Sequence, residues 1–169
     1  EGLIALSACL AGEIPKLLMK NDYETAKKTA LWYRDVFGSD SYYLEMQDHD
    51  IYEQKQVNAY LVRLSKETGI PLVATNDVHY TYADDEKSHD ILLCIQTGKK
   101  LSDENRMRYE GGQYFVKSEE EMKGLFPYAW EAVENTQTIA DRCNVDIEFG
   151  VTKLPHFEVP EGFTSETYL

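Results

Sequence analysis

The sequence predicts an α/β fold built on parallel strands, and three observations carry that prediction. Short apolar or aromatic runs recur at residues 3–6, 42–47 and 71–76. Stretches with apolar residues at helical spacing lie between them. The connections are short, and strand, helix, strand, helix, strand in that order is the pattern of right-handed parallel crossover units.

Taken in order, Leu3, Ile4, Ala5 and Leu6 form an unbroken apolar run, as expected of a parallel strand covered on both faces. A loop with Cys9 follows. Asn21 or Asp22 is placed to cap a helix running to Phe37, because Ala26, Ala30, Tyr33 and Phe37 recur at helical spacing and Gly38 supplies the stop. Tyr42 to Gln47 reads as the second strand. From Tyr52 to Thr68 a second helix carries Val57, Leu61 and Leu64 on one face and ends at Gly69. Residues 71–76 read as the third strand. Beyond it the spacing turns helical, over residues 84–96, 118–126 and 129–143, with Ser118 and Glu121 forming a capping box. Residues 99–113 are polar with a Gly111-Gly112 pair, and Tyr114, Phe115 and Val116 suit a short strand. Pro155, Pro160 and Gly162 mark an extended connector, after which residues 163–169 read as the beginning of a helix. Three stretches are thus expected: α/β over 1–83, mainly helical over 84–150, and a connector over 151–169.

The 169 residues are 43% hydrophobic and 28% charged, a composition that buries a core and excludes wholesale disorder. No apolar run approaches the ~20 residues of a membrane-spanning helix. With 17 Lys+Arg against 30 Asp+Glu the net charge is -13, a surface that repels phosphate backbones unless metal ions intervene. Cys9, Cys94 and Cys143 are odd in number, show no C-x-x-C spacing and follow no signal peptide, so a reducing, cytoplasmic setting is expected. The chain opens on Glu1 rather than Met, and an internal piece of a longer protein is the expectation.

In parallel α/β architectures function collects in the loops after the carboxyl ends of strands. Metal-capable residues lie there: Cys9 past the first strand, Glu45 and His49 on and past the second, Asp77 and His79 after the third. Residues two apart in an extended chain share a face, so Asp77 and His79 point the same way. Carboxylate and imidazole donors suit Zn²⁺, Mn²⁺ or Fe²⁺, and a thiolate biases the choice toward zinc. Each also has a plainer reading, Cys9 as a small buried hydrophobe, Glu45 as an outward salt bridge and His49 as a solvated loop residue. His89 reads as structural inside a helix, His156 as exposed among prolines, and Cys94 and Cys143 as packing. There is no G-x-S-x-G, phosphate loop or dinucleotide fingerprint, and the tyrosines are scattered rather than set among basic residues.

Four stretches carry a specific resemblance: residues 2–13 (GLIALSACLAGE), 43–49 (YLEMQDH), 70–80 (IPLVATNDVHY) and 89–98 (HDILLCIQTG). Together they resemble the alpha subunits of bacterial replicative DNA polymerase III, over the later part of the N-terminal polymerase and histidinol phosphatase (PHP) domain and the lead toward the polymerase palm. Residues 154–160 resemble the start of that lead. The resemblance implies a distorted (β/α)7 barrel with a divalent-metal cluster (Zn, Mn or Fe) at its strand ends, to which Cys9, Asp77 and His79 match as ligands and Glu45 and His49 less closely. The family's remaining ligands would precede Glu1, and its polymerase aspartates, which hold Mg²⁺, would follow Leu169. No catalytic residue of the polymerase is therefore expected in this stretch, which by itself is expected to be inactive. The implied partners are DNA, deoxynucleoside triphosphates and other replisome subunits, with no membrane, and the implied activities are DNA-templated DNA synthesis with 3′ to 5′ exonuclease at the metal cluster. Two other readings stand beside this one: a purely structural PHP module that stabilises the polymerase and contacts replisome subunits, and a free-standing PHP-type metal-dependent phosphatase. The connector over residues 154–162 speaks against the last.

Overall fold

The computed structural model describes residues 2–109, 111–154 and 157–168. Three strands, β1 (Ala5–Leu6), β2 (Tyr42–Met46) and β3 (Leu72–Ala74), pair in parallel in the order β1-β2-β3. The register sets Ala5 opposite Tyr42 and Leu44 opposite Leu72. All three carboxyl ends therefore open at one edge of the sheet, and the α/β reading holds. A closed barrel is not what these residues form: the sheet has three strands, too few to close.

β1 is shorter than the sequence suggests, and the expectation of burial on both faces fails there. Leu3 is 71% exposed and Leu6 37% exposed. β1 and β3 are both edge strands, but the helix Trp130–Arg142 packs over β3 and buries it, while no helix among the described residues packs comparably over β1. β2, in the centre, and β3, beneath that helix, have their apolar runs covered.

The first helix is one the sequence reading left as loop. α1 (Glu13–Met19) buries Ile14, Pro15 and Leu18 and ends at Lys20, whose amide donates to the Leu17 carbonyl. Seven residues with one Pro near the start carry too little periodicity to stand out. α2 (Tyr23–Phe37) starts where Asp22 accepts from the Thr25 amide and buries Ala26 and Ala30. α3 (Tyr52–Thr68) ends at Gly69 in the left-handed region, φ 73°. After β3 come a 3₁₀ turn (Ala83–Asp85), α4 (Glu86–Thr97), α5 (Glu119–Leu125) with its Ser118/Glu121 capping box, and α6 (Trp130–Arg142). Tyr114, Phe115 and Val116 make only an isolated parallel bridge, Phe115 with Tyr80. A four-residue helix, α7 (Ser165–Tyr168), lies near the end. His156 lies outside the described residues, as does Pro155 in the connector.

The core forms on one face of the sheet. Tyr42, Leu44 and Met46 of β2 and Leu72 and Ala74 of β3 pack against Ile14, Leu18, Ala26, Ala30, Val57, Leu61 and Leu64, and α6 extends this layer through Ala132 and Val133. Asn135 of α6 donates to the Leu72 carbonyl on the outer side of β3, which satisfies part of an otherwise open strand edge. Alternation puts the intervening residues Tyr43, Glu45 and Gln47 on the opposite face, together with Val73 and Thr75. That second face turns polar toward the carboxyl ends of the strands.

Candidate metal centre

The polar face leads directly into the loops where the sequence places its donors. Ser7, just after β1, is buried, and its hydroxyl accepts from the Glu45 amide at 2.8 Å, tying the end of β1 to the middle of β2. The Cys9 turn is held by Gly12, whose amide donates to the Cys9 carbonyl at 2.7 Å. A Cβ at Gly12 would come within 2.5 Å of the Ser7 carbonyl oxygen, so only glycine lets this turn fold back on the strand. Cys9 is half-buried and lines a narrow crevice with Glu45, Gln47, Gln54 and Asn58. Glu45 is not the outward salt bridge of its plainer reading: its Oε1 accepts from the Thr75 hydroxyl at 2.6 Å and from Gln47 Nε2 at 3.3 Å.

His49 is buried, 2% exposed, and not the solvated loop residue of its plainer reading. Gln54 Oε1 accepts from the His49 amide at 2.8 Å, which orients the Gln54 amide so that its Nε2 faces His49 Nδ1 at 2.9 Å. Nδ1 therefore accepts, and Nε2 donates to the Asn76 carbonyl at 2.9 Å. Both ring nitrogens are engaged, which leaves no lone pair for a metal. Burial, the larger influence, holds the His49 pKa below its ordinary value, in keeping with a neutral ring.

His79 contrasts with it at the next strand end. Asp77 stands at φ 43°, in the left-handed region that aspartate tolerates, and this bend brings its own carbonyl within 2.6 Å of His79 Nδ1. Nδ1–H donates there, so Nε2 keeps its lone pair, the tautomer seen in histidines that bind metal through Nε2. The Asp77 carboxylate is 4.0 Å from His79 Nδ1, and its side chain is 42% exposed.

A segment far along the chain closes this end of the sheet. His79 and Tyr80 amides both donate to the Tyr114 carbonyl, at 2.8 and 3.3 Å. The Asn76 side-chain amide donates to the carbonyls of Gln113 and Phe115, at 2.9 and 2.7 Å, and Lys117 Nζ donates to Asn76 Oδ1 and the Gln113 carbonyl. Aromatic rings consequently surround His79, with Tyr109 centred 4.0 Å away, His89 at 5.5 Å and Tyr114 edge-on at 5.6 Å. Tyr114 also stacks on His49 at 4.0 Å. Burial, then Asp77, Tyr109, Tyr80 and Cys9, push the Tyr114 phenol pKa up.

Tyr109 and Tyr114 are ring neighbours of His79 that the sequence pattern does not single out, and His89, expected to be structural inside a helix, packs against His79, Tyr80 and Tyr109. A signal for His89 existed: it lies four residues before Leu93, a buried residue of α4, and hence on the helix face that turns inward. Tyr109 carried no local signal.

Asp77 and His79 have free lone pairs and sit together, and Cys9 and Glu45 share a crevice at the same sheet edge. Among the described residues, however, no three His, Cys, Asp or Glu side chains gather closely enough to hold an ion. The donor types present, carboxylate, imidazole and thiol, are ones that suit a divalent metal.

Comparison with known proteins is consistent with this geometry. A family model described as the PHP domain matches residues 1–49. Proteins named DNA polymerase III subunit alpha align with almost all of the chain, from Treponema pallidum (46% identical over 168 residues, 99% of this chain) and Borreliella burgdorferi (46% over 166 residues, 98%) to Thermus aquaticus (39% over 175 residues, 100%). This chain matches the PHP region of DNA polymerase III alpha subunits. It spans 14% of the length of each of these three relatives. The PHP match includes Cys9, Glu45 and His49, while Asp77 and His79 lie beyond it in the sequence. No helix among the described residues is long and apolar enough to cross a membrane.

Proposed function

We propose that the whole protein carrying this chain is a DNA-directed DNA polymerase of the replisome, and that the chain is part of its PHP module, with Cys9, Asp77 and His79 as partial ligands of a divalent-metal phosphoesterase site. The polymerase reading is supported by the near-complete match to alpha subunits. One observation carries the metal reading: His79, fixed by its Nδ1–H bond to the Asp77 carbonyl, presents an Nε2 unengaged among the described residues, beside an exposed carboxylate. Zinc, manganese or iron suits this donor set, and bound there a divalent ion would supply Lewis acidity toward a phosphate oxygen.

The chain's own residues do the positioning. The Asp77 bend holds the imidazole in one tautomer and one orientation. Tyr109 and Tyr114 wall the imidazole and limit water around it. Glu45, held by Thr75 and Gln47, adds negative charge in the crevice it shares with Cys9. His49 sets the loop after β2 and takes no part as a ligand. DNA, deoxynucleoside triphosphates and other replisome subunits are the partners of this reading, with cytoplasmic localisation. The polymerase's own Mg²⁺ site is placed outside these 169 residues.

A second reading, a PHP module that is purely structural, is favoured by the lack of a three-donor set among the described residues. The experiment that separates the two uses the whole protein. Bound metal is measured by elemental analysis, and 3′-mismatch removal and primer extension are assayed, for wild type and Asp77→Asn. The metal reading expects loss of metal and of mismatch removal with extension within about twofold of wild type, since distant sites act nearly independently. Unchanged mismatch removal would refute it, and loss of both activities with a lowered melting temperature would favour the structural reading.

A further inference from the structure

Tyr109 belongs to two assemblies. Its ring lies 4.0 Å from His79, and it also lines a cleft of about 280 Å³ beside α4, together with Glu86, Lys87, Asp90, Arg106 and Arg108. Three of the chain's 17 cationic residues meet in this one cleft, in a protein of net charge -13.

The charges in it are unequally engaged. Arg106 forms a two-pronged ion pair with Asp90, with Nη2 to Oδ2 at 2.7 Å, and its side chain is only 5% exposed. Its Nε is buried and finds no partner among the described residues. Arg106 and Asp90 thus neutralise one another and brace the wall. Glu86 faces the turn at Gly112, where an added Cβ would come within 2.9 Å of Glu86 Oε2. Lys87 and Arg108 are exposed, and among the described residues Arg108 makes one bond, from Nη2 to the Asp103 carbonyl at 2.9 Å, which leaves other N–H groups of its fork available. Among the described lining residues, Lys87 and Arg108 outnumber the remaining carboxylate, Glu86.

We infer that this cleft is a phosphate-binding subsite, in which Lys87 and Arg108 hold the oxyanion of a phosphate ester while Arg106, locked to Asp90, keeps the wall in place. Arginine suits the task because its fork matches phosphate oxygens, and lysine adds a mobile point charge. Tyr109 joins the subsite to His79, so an anion bound here stands one aromatic side chain away from the strand-end donors. The inference rests on the phosphoesterase reading of those donors and adds where the phosphate sits. The oxyanion belongs either to a polynucleotide strand or to a small phosphate monoester.

The test is site-specific labelling in the whole protein, which also holds a polymerase site for DNA and so defeats a bulk binding assay. Phenylglyoxal modification of Arg108 is followed by peptide mass spectrometry with inorganic phosphate, dAMP, a single-stranded oligodeoxynucleotide, or uncharged deoxyadenosine. At about ten times the dissociation constant of a phosphate-bearing probe, one-site occupancy lowers Arg108 labelling about tenfold. Deoxyadenosine should not protect. Lys87→Ala should raise the protecting concentration about tenfold, the worth of one charge-assisted contact. Protection by the oligonucleotide at lower concentration than dAMP identifies a polynucleotide as the source, and the reverse order a small ester. Labelling that no phosphate probe slows, or that deoxyadenosine slows equally, would overturn the inference. Repeating the labelling with Asp77→Asn separates the two proposals. Arg108 protection that persists while metal and mismatch removal prove independent of Asp77 keeps the subsite and removes the phosphoesterase reading. Absent protection with intact Asp77-dependent activity does the opposite.

Discussion

The loops after β2 and β3 each deliver a histidine to the same edge of the sheet, and the two histidines have opposite chemistry. His49 is buried with Nδ1 accepting from Gln54 and Nε2 donating to the Asn76 carbonyl. His79 is a quarter exposed with one nitrogen engaged by its own backbone neighbour and the other unengaged among the described residues. Residue type and place in the fold are shared, so neither decides whether an imidazole is available. Hydrogen-bond occupancy decides it, and occupancy here comes from α3, whose first turns carry Gln54 and Asn58 inward.

The sharpest way to break this contrast is His49→Ala. It removes a buried ring stacked on Tyr114 and leaves Gln54 Nε2 and the Asn76 carbonyl without their ring partners. A loss of about 3 kcal/mol in denaturant unfolding is expected, from the cavity and the orphaned groups together. A loss below 1 kcal/mol would mean that His49 is not the structural member of the pair.

Asn76→Ala comes next, because its side-chain amide ties the loop after β3 to Gln113 and Phe115. About 2 kcal/mol should be lost. Amide exchange should quicken over residues 113–116 while β2 stays protected, and uniform exchange across the sheet would contradict a local tie.

Acid should act on the same contrast. Burial favours neutral His49, so its folded pKa lies below its unfolded value of about 6.5. Its contribution to stability is present above that value and is lost as pH falls through the folded pKa. The melting temperature of wild type should fall below about pH 6.5 more steeply than that of His49→Gln, and parallel slopes would assign the acid sensitivity elsewhere.

His79→Ala should have the smallest effect on folding, under about 1 kcal/mol, since the ring is partly exposed and makes a single local hydrogen bond. Metal content of the whole protein should nevertheless drop, measured by elemental analysis. A His79→Ala protein that melts far below wild type yet retains its metal would reverse the roles assigned to the two histidines.

Much of the fold was legible because it rests on local regularities. Helical spacing located α2 and α3, Asp22 and the Ser118/Glu121 pair marked their helix starts, Gly69 marked a stop, and the apolar runs marked three strands. Short segments were not legible: α1 is too brief for its period to rise above chance, and β1 loses its outer residues because no helix among the described residues packs over it as α6 does over β3. The sequence by itself determined which donors stand at the strand ends, Cys9, Glu45, His49, Asp77 and His79, since that depends only on where strands stop. Only the tertiary structure decided which of them are free. Gln54 reaches back to seal His49, the left-handed bend at Asp77 turns a carbonyl onto His79, and a segment well downstream brings Tyr109 and Tyr114 around it. Those are contacts between residues distant in sequence, made by loops without periodicity, and loops acquire their positions from the surfaces they close upon rather than from their own spacing.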